Sequence, residues 1–180
     1  MRPLYAVVGV ALVFSIAVGV SNWLTPNWRV ERVADIGASP ADIHRFVADF
    51  SEWGRWAQFR EAEDPQVRLE HTDEDGVPVQ RILVNGAERT RIRMEQSTPA
   101  QVTVTVQEPF SGRQTFRYLV LDENTTRVIW EDEGTVSTPL IGGLLAYNLA
   151  ERLGDHHEIA LRKLRALAES VDQEPVRSDR

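Results

Sequence analysis

Two histidines stand side by side in this chain, His156 and His157, flanked by Asp155 and Glu158. Four potential ligands in a row invite a metal reading. Consecutive residues of a helix point about 100° apart, so the two imidazoles cannot converge on one ion without ligands from elsewhere. A zinc site needs three or four converging groups, and nothing in the sequence brings His44 or His71 near. The pair is therefore read as solvated helix surface, and no metal is expected. Asp49, Glu52 and His44 are of types that transfer protons, but no pattern aims them at a cavity, so they are read as surface or capping groups. The chain carries no Gly-x-Ser-x-Gly, no His-Glu-x-x-His, no phosphate loop and no Gly-x-Gly-x-x-Gly. It has no Cys, which excludes disulfides, thiolate metal sites and a Cys nucleophile. No cofactor is expected. A net charge of −7 argues against a nucleic-acid surface, which requires a basic stripe.

Other side chains suit binding better than catalysis. Trp53, Trp56 and Phe59 recur at three-residue spacing; they either line a pocket mouth or pack two short helices onto a sheet. Gly142-Gly143 is either a hinge or a site of close packing, and Tyr147 and Asn148 follow one turn on. Arg89, Arg91 and Arg93, with Arg81, form a ladder on one strand face. It is read mainly as a solvated outer face paired with Glu70, Glu95 and Glu131, with anionic lipid as the alternative.

The elements that must position these residues follow from periodicity. Thr138 to Ser170 repeats its apolar residues at helical spacing, with Leu149, Leu153, Ala160, Leu164 and Leu167 on one stripe. Pro139 suits the first turn. Such a helix is about 45 Å long at 1.5 Å per residue, and something broad must wrap it. Residues 28–36 alternate as a half-buried strand, and Ser39-Pro40-Ala41-Asp42 starts a helix that runs to about Phe50. Ser51 is read as the cap of a second short helix through Trp56. From Val67 the chain is a meander of six strands with tight turns at Asp75-Gly76 and Asn85-Gly86, so the sheet is antiparallel.

Leu4 to Val20 carries no charge, and extended to Leu24 it is long enough to span a bilayer core. Trp23 and Trp28 follow, as rings at a membrane–water interface would. The segment is read as an uncleaved single-pass anchor, with a cleaved signal and a buried soluble helix as the alternatives. Arg2 lies on one side and Arg29 and Arg32 on the other, so the side of the membrane stays open. The expected division is residues 1–24 as anchor or signal segment, 25–170 as the folded domain, and 171–180 as a disordered polar tail.

Three stretches resemble one superfamily, the START-related, polyketide-cyclase-like SRPBCC proteins. Ile36 to Val47, IGASPADIHRFV, is similar to its I-x-A-P-x-x-x-V-F lead into the first helix. Asp49 to Phe59, DFSEWGRWAQF, is similar to its D-x-x-x-W-x-x-W-x-P-F/W element, with Gln58 in place of the usual Pro. Leu153 to Leu167, LGDHHEIALRKLRAL, is similar to the end of its last helix. The resemblance implies an α+β helix-grip fold: a curved seven-stranded antiparallel sheet around a long C-terminal helix, with two short helices after the first strand. It also implies a cavity between sheet and helix that holds a hydrophobic small molecule, a lipid or a polyketide-like ring system. By alternation its walls would be Val104, Phe116, Tyr118 and Trp130 on the strands and Leu144 and Tyr147 on the helix, with Trp53, Trp56 and Phe59 at the mouth. A cyclase or dehydratase working in that cavity is the second expectation, and a protein-interaction module at the membrane the third; the protein partner stays open.

Overall fold

The computed structural model describes residues 2–57, 66–107 and 110–171, and in the first helix only part of the side chains. Helix α1 (Arg2–Trp23) leads into β1 (Asn27–Ile36), then α2 (Pro40–Val47) and α3 (Phe50–Trp56). The meander is β2 (Val67–Glu74), β3 (Val77–Val84), β4 (Ala87–Thr98), β5 (Gln101–Gln107), β6 (Ser111–Val120) and β7 (Thr126–Thr135), and α4 (Gly142–Val171) ends the described chain. All seven strands form one antiparallel sheet in the order β1-β7-β6-β5-β4-β3-β2. Short links force neighbours in sequence to be neighbours in space, and β1 closes the far edge by pairing with β7. Both expected hairpin turns use positive φ, at Asp75 and Gly76 and at Asn85 and Gly86. Register shifts between Ile82 and Leu83 and between Met94 and Gln96 bend the sheet.

The expected element order is present, with five local differences. Helix α2 ends at Val47, not near Phe50, because Asp49 already caps α3 and Phe50 is its first residue. The cap of α3 is Asp49, whose carboxylate accepts from Ser51 N at 2.8 Å, so Ser51 lies in the first turn. Helix α4 begins at Gly142, not near Pro139, because Leu140 turns the backbone left-handed at φ 68° and halts any helix there. Its far end is Val171, so the helix takes the first residue of the expected tail; the remaining tail residues and Phe59 lie outside the described residues. The buried stripe of α4 is built from Gly142, Gly143, Ala146, Gly154, His157, Ala160, Leu161, Leu164 and Ala168. Leu149, Leu153 and Leu167 flank it half-buried. Small residues let the helix lie close on β1: a Cβ on Gly154 would overlap the Arg32 guanidinium.

The expected anchor segment is helical from Arg2 to Trp23. Among the described residues, no helix is long and apolar enough to cross a membrane. Trp28, assigned above to a membrane interface, is only 6% exposed and lies inside the domain, whereas Trp23 is 93% exposed. The arginine ladder is the solvated outer face expected, although its partners differ. Arg81 and Arg91 share Glu74 and Glu88, while Glu131 pairs with Arg29 and Arg117.

Gly142-Gly143 serves close packing. A Cβ on Gly143 would lie 2.5 Å from Leu24 O and 2.8 Å from Leu24 Cβ, where the end of α1 seats on α4. Gly143→Ala is expected to destabilise the protein by about 1–3 kcal/mol through overpacking against backbone that cannot give way. Gly54→Ala, on α3 with nothing within 4 Å, is expected to stabilise by up to about 1 kcal/mol. Thermal denaturation of the two variants checks the opposite signs.

Candidate functional site

The interior divides into two parts. Under α2, α3 and the second half of α4, the aromatics expected to line a cavity fill it instead. Trp53, Trp56, Phe116 and Trp130 are fully buried. Their rings meet edge-on or tilted, with centroids 5.4 Å apart for Trp53–Trp56, 5.9 Å for Trp56–Trp130 and 4.7 Å for Phe116–Trp130. The Trp53 and Trp56 indoles donate to Val47 O at 2.9 Å and Phe46 O at 3.0 Å, tying α3 onto α2. Val104 and Tyr118 belong to the same packed cluster. Leu144 is half-buried, with its N–H donating to Ser21 Oγ at the α1 junction, and Tyr147 is 64% exposed. None of the described residues proposed above as cavity walls lines the small apolar cavity found among the described residues.

That cavity lies at the other end of the grip, under the first half of α4, and measures about 140 Å³. Its walls are Trp28, Val106, Phe110, Leu149 and Leu153, with Thr90, Gly112, Gln114 and Asp132 among them. It exists because two adjacent strands carry no side chain where they face the helix. Gly112 and Gly134 are register partners on β6 and β7, and the Trp28 indole lies on both. A Cβ on Gly112 would stand 3.0 Å from the indole, and one on Gly134 would overlap it. Phe110 meets Trp28 edge-on at 6.1 Å.

Asp132, 3% exposed, forms the polar end of the cavity. Its Oδ1 accepts from Trp28 Nε1 and its Oδ2 from Gln114 Nε2, each at 3.1 Å. Behind it, one turn beyond Leu153, His157 is wholly buried and stacks on Trp130 with centroids 3.8 Å apart. His157 Nε2 approaches Asp132 Oδ2 to 3.3 Å, at an angle too oblique for a formed hydrogen bond, and neither ring nitrogen has a hydrogen-bond partner. Reading His157 as solvated surface is thus corrected: it sits on the same helical face as Leu153 and Leu164, and the stripe carries it inward. His156 is half-buried beside it. Among the described residues, no group of His, Cys, Asp and Glu could hold a metal ion.

The inward placement of Asp132 and Gln114 is legible in the sequence. Each lies two residues from an inward aromatic on its own strand, Trp130 and Phe116, and a period of two puts them on the same face. Asp49 and Glu52 do have surface roles, the first as a cap and the second paired with Arg55. His44 instead lies with its ring edge-on to Tyr118 at 5.9 Å, and its Nδ1 is buried without a partner.

A curved antiparallel sheet gripping a long helix over a small apolar cavity defines a helix-grip domain. A family model described as "Polyketide cyclase / dehydrase and lipid transport" matches residues 27–169. The chain belongs to that family, within the SRPBCC superfamily. Solved structures agree on the fold. The Zhui aromatase/cyclase from Streptomyces sp. R1128 matches at 17% identity and TM-score 0.62, over 82% of this chain and 97% of that one. TTHA0849 from Thermus thermophilus matches at 18% identity and TM-score 0.59, over 81% and 99%. A START superfamily protein from Mycobacterium smegmatis matches at 19% identity and TM-score 0.54, over 79% and 98%. No curated protein sequence matches.

Burial holds the imidazole of His156 below its usual value, helped by the neighbouring His157 and opposed by a hydrogen bond with the Ala57 backbone and by Asp132. Burial does the same to His44. A histidine that is harder to protonate folded than unfolded leaves stability intact above about pH 6.5, its unfolded value. Stability then falls as pH drops below that value and levels off below the folded one. Urea midpoints measured from pH 7.5 to 5.5 should therefore decline, and His156→Gln should flatten the decline.

Proposed function

We propose that this domain binds a small hydrophobic molecule in the cavity between Trp28, Phe110, Leu149 and Leu153, close to a membrane that α1 anchors it to. The observation that carries the reading is the cavity itself: five apolar walls around a single buried carboxyl, the usual composition of a ligand site. Membership of a family described by cyclase, dehydrase and lipid-transport activities supports it. At about 140 Å³ the space suits one ring or the tip of a chain, since an apolar cavity of about 150 Å³ is known to hold benzene. A whole polycyclic or a two-chain lipid needs more room than that. Burial of the ligand's apolar area at about 25 cal/mol per Å² would supply most of the affinity.

Leu149 is half-buried on the rim, so Leu149→Trp can fill the cavity without breaking the core. An apolar fluorescent probe is expected to bind the wild type and to lose at least about tenfold in affinity in the variant, with its melting temperature little changed. Equal uptake by both would place the probe elsewhere and sink the assignment.

The anchor is supported by the uncharged run Leu4–Val20 and by the exposure of Leu12, Val13, Ile16, Val20 and Trp23. Alkaline carbonate extraction of cells making the full chain should leave it in the membrane pellet, and Val13→Arg with Ile16→Arg should release it. A wild-type chain found in the supernatant contradicts the anchor.

One observation favours a second reading, an enzyme of the cyclase or dehydratase kind. Asp132 at the cavity wall has an unpartnered imidazole 3.3 Å behind it, which is the acid–base pairing such chemistry needs. Turnover that disappears in both Asp132→Asn and His157→Gln, while probe binding survives, would favour catalysis over carriage.

A further inference from the structure

We infer that the ligand of this cavity carries a hydrogen-bond donor on its polar end, as a phenol, an alcohol or an amine does, and that anionic headgroups are excluded. The inference rests on the binding reading above and narrows it to a chemical class. Its starting point is that Asp132 acts as an acceptor at both oxygens: Oδ1 takes the Trp28 indole N–H and Oδ2 the Gln114 amide N–H. A carboxylate has about four acceptor positions, so two protein donors leave it able to accept more. Asp132 is itself part of the cavity lining, whereas His157, the other group near Oδ2, is not.

The remaining lining sharpens the choice. Trp28, Val106, Phe110, Leu149 and Leu153 offer carbon, the Trp28 Nε1 proton already points at Asp132, and so does one of the two Gln114 Nε2 protons, which leaves a single neutral amide N–H to spare. Among the described lining residues none is basic. A fatty-acid carboxylate or a phosphate brought into this space would meet a buried carboxyl, and the nearest imidazole, His157, lies behind Asp132 and outside the lining, so the like-charge pairing is costly at low polarity. A neutral hydroxyl or an ammonium group would instead complete the acceptor shell of Asp132, and the apolar walls would cover its ring or chain. Thr90, at the β4 side of the cavity, can accept or donate and so tolerates either head.

The test compares single-ring ligands of similar size that differ in the head: phenol, benzylamine, anisole, toluene and benzoate. The full chain is held in lipid nanodiscs, with free concentrations fixed by equilibrium dialysis, and the NMR resonance of the Trp28 indole N–H reports occupancy. Phenol and benzylamine are expected to bind about tenfold tighter than anisole and toluene, the effect of one hydrogen bond to a charged acceptor. Benzoate should bind more weakly than any of them. In Asp132→Asn the advantage of benzylamine over toluene should fall at least about fivefold. The wild-type series decides the matter by itself if that variant does not fold. Equal binding of all five overturns the donor requirement while leaving an apolar site standing; benzoate binding best overturns it outright. If none of the five perturbs Trp28, the cavity is not a ligand site and both readings fall.

Discussion

The Trp28 indole rests on a stretch of sheet that has no side chains, and the cavity end of the molecule depends on that contact. Gly112 and Gly134 sit opposite one another on neighbouring strands, and a Cβ on either would push the ring toward α4. With the ring down, Nε1 reaches Asp132 and supplies one of the two hydrogen bonds to that buried carboxyl, the other coming from Gln114. With the ring down, too, room remains between it and Leu149 and Leu153. Two missing side chains thus account for the place of the cavity and for the polar group at its end.

The same grip is solid at its other end. Trp53, Trp56, Phe116 and Trp130 occupy the space that the curvature of the sheet leaves there, and small residues at Ala160 and Ala168 let α4 close over them. Aromatic rings are efficient fillers, since each buries a large area and edge-on contacts add to it. The family's architecture guarantees a gap between sheet and helix; which side chains fill it decides how much is left for a ligand. Here the filled half braces α2 and α3, and the open half stays small.

Much of the fold could be read directly from sequence. Alternation over six strands, Asp75-Gly76 and Asn85-Gly86 as turns, Ser39-Pro40 as a helix start and the long C-terminal periodicity each act locally, so a single chain suffices to see them. The site was harder. Trp28 follows an apolar run and a second tryptophan, a pattern that fits a membrane interface; only the pairing of β1 with β7 shows that it faces Gly134. His157 is a polar residue on a stripe of leucines and alanines, and its burial follows from the stripe once the histidine is not assumed to be wet. Asp132 needed only the period of two that placed Trp130. What no local pattern could reveal is that the aromatics pack against one another, since ring packing depends on strands far apart in sequence.

Native mass spectrometry of the full chain isolated from its own host tests most directly whether the space beside Trp28 and Asp132 holds a small apolar molecule. The account predicts a near one-to-one adduct of roughly single-ring mass that is lost when Leu149→Trp fills the space. A protein that carries no adduct as isolated, and takes up no apolar compound when offered one, would contradict it.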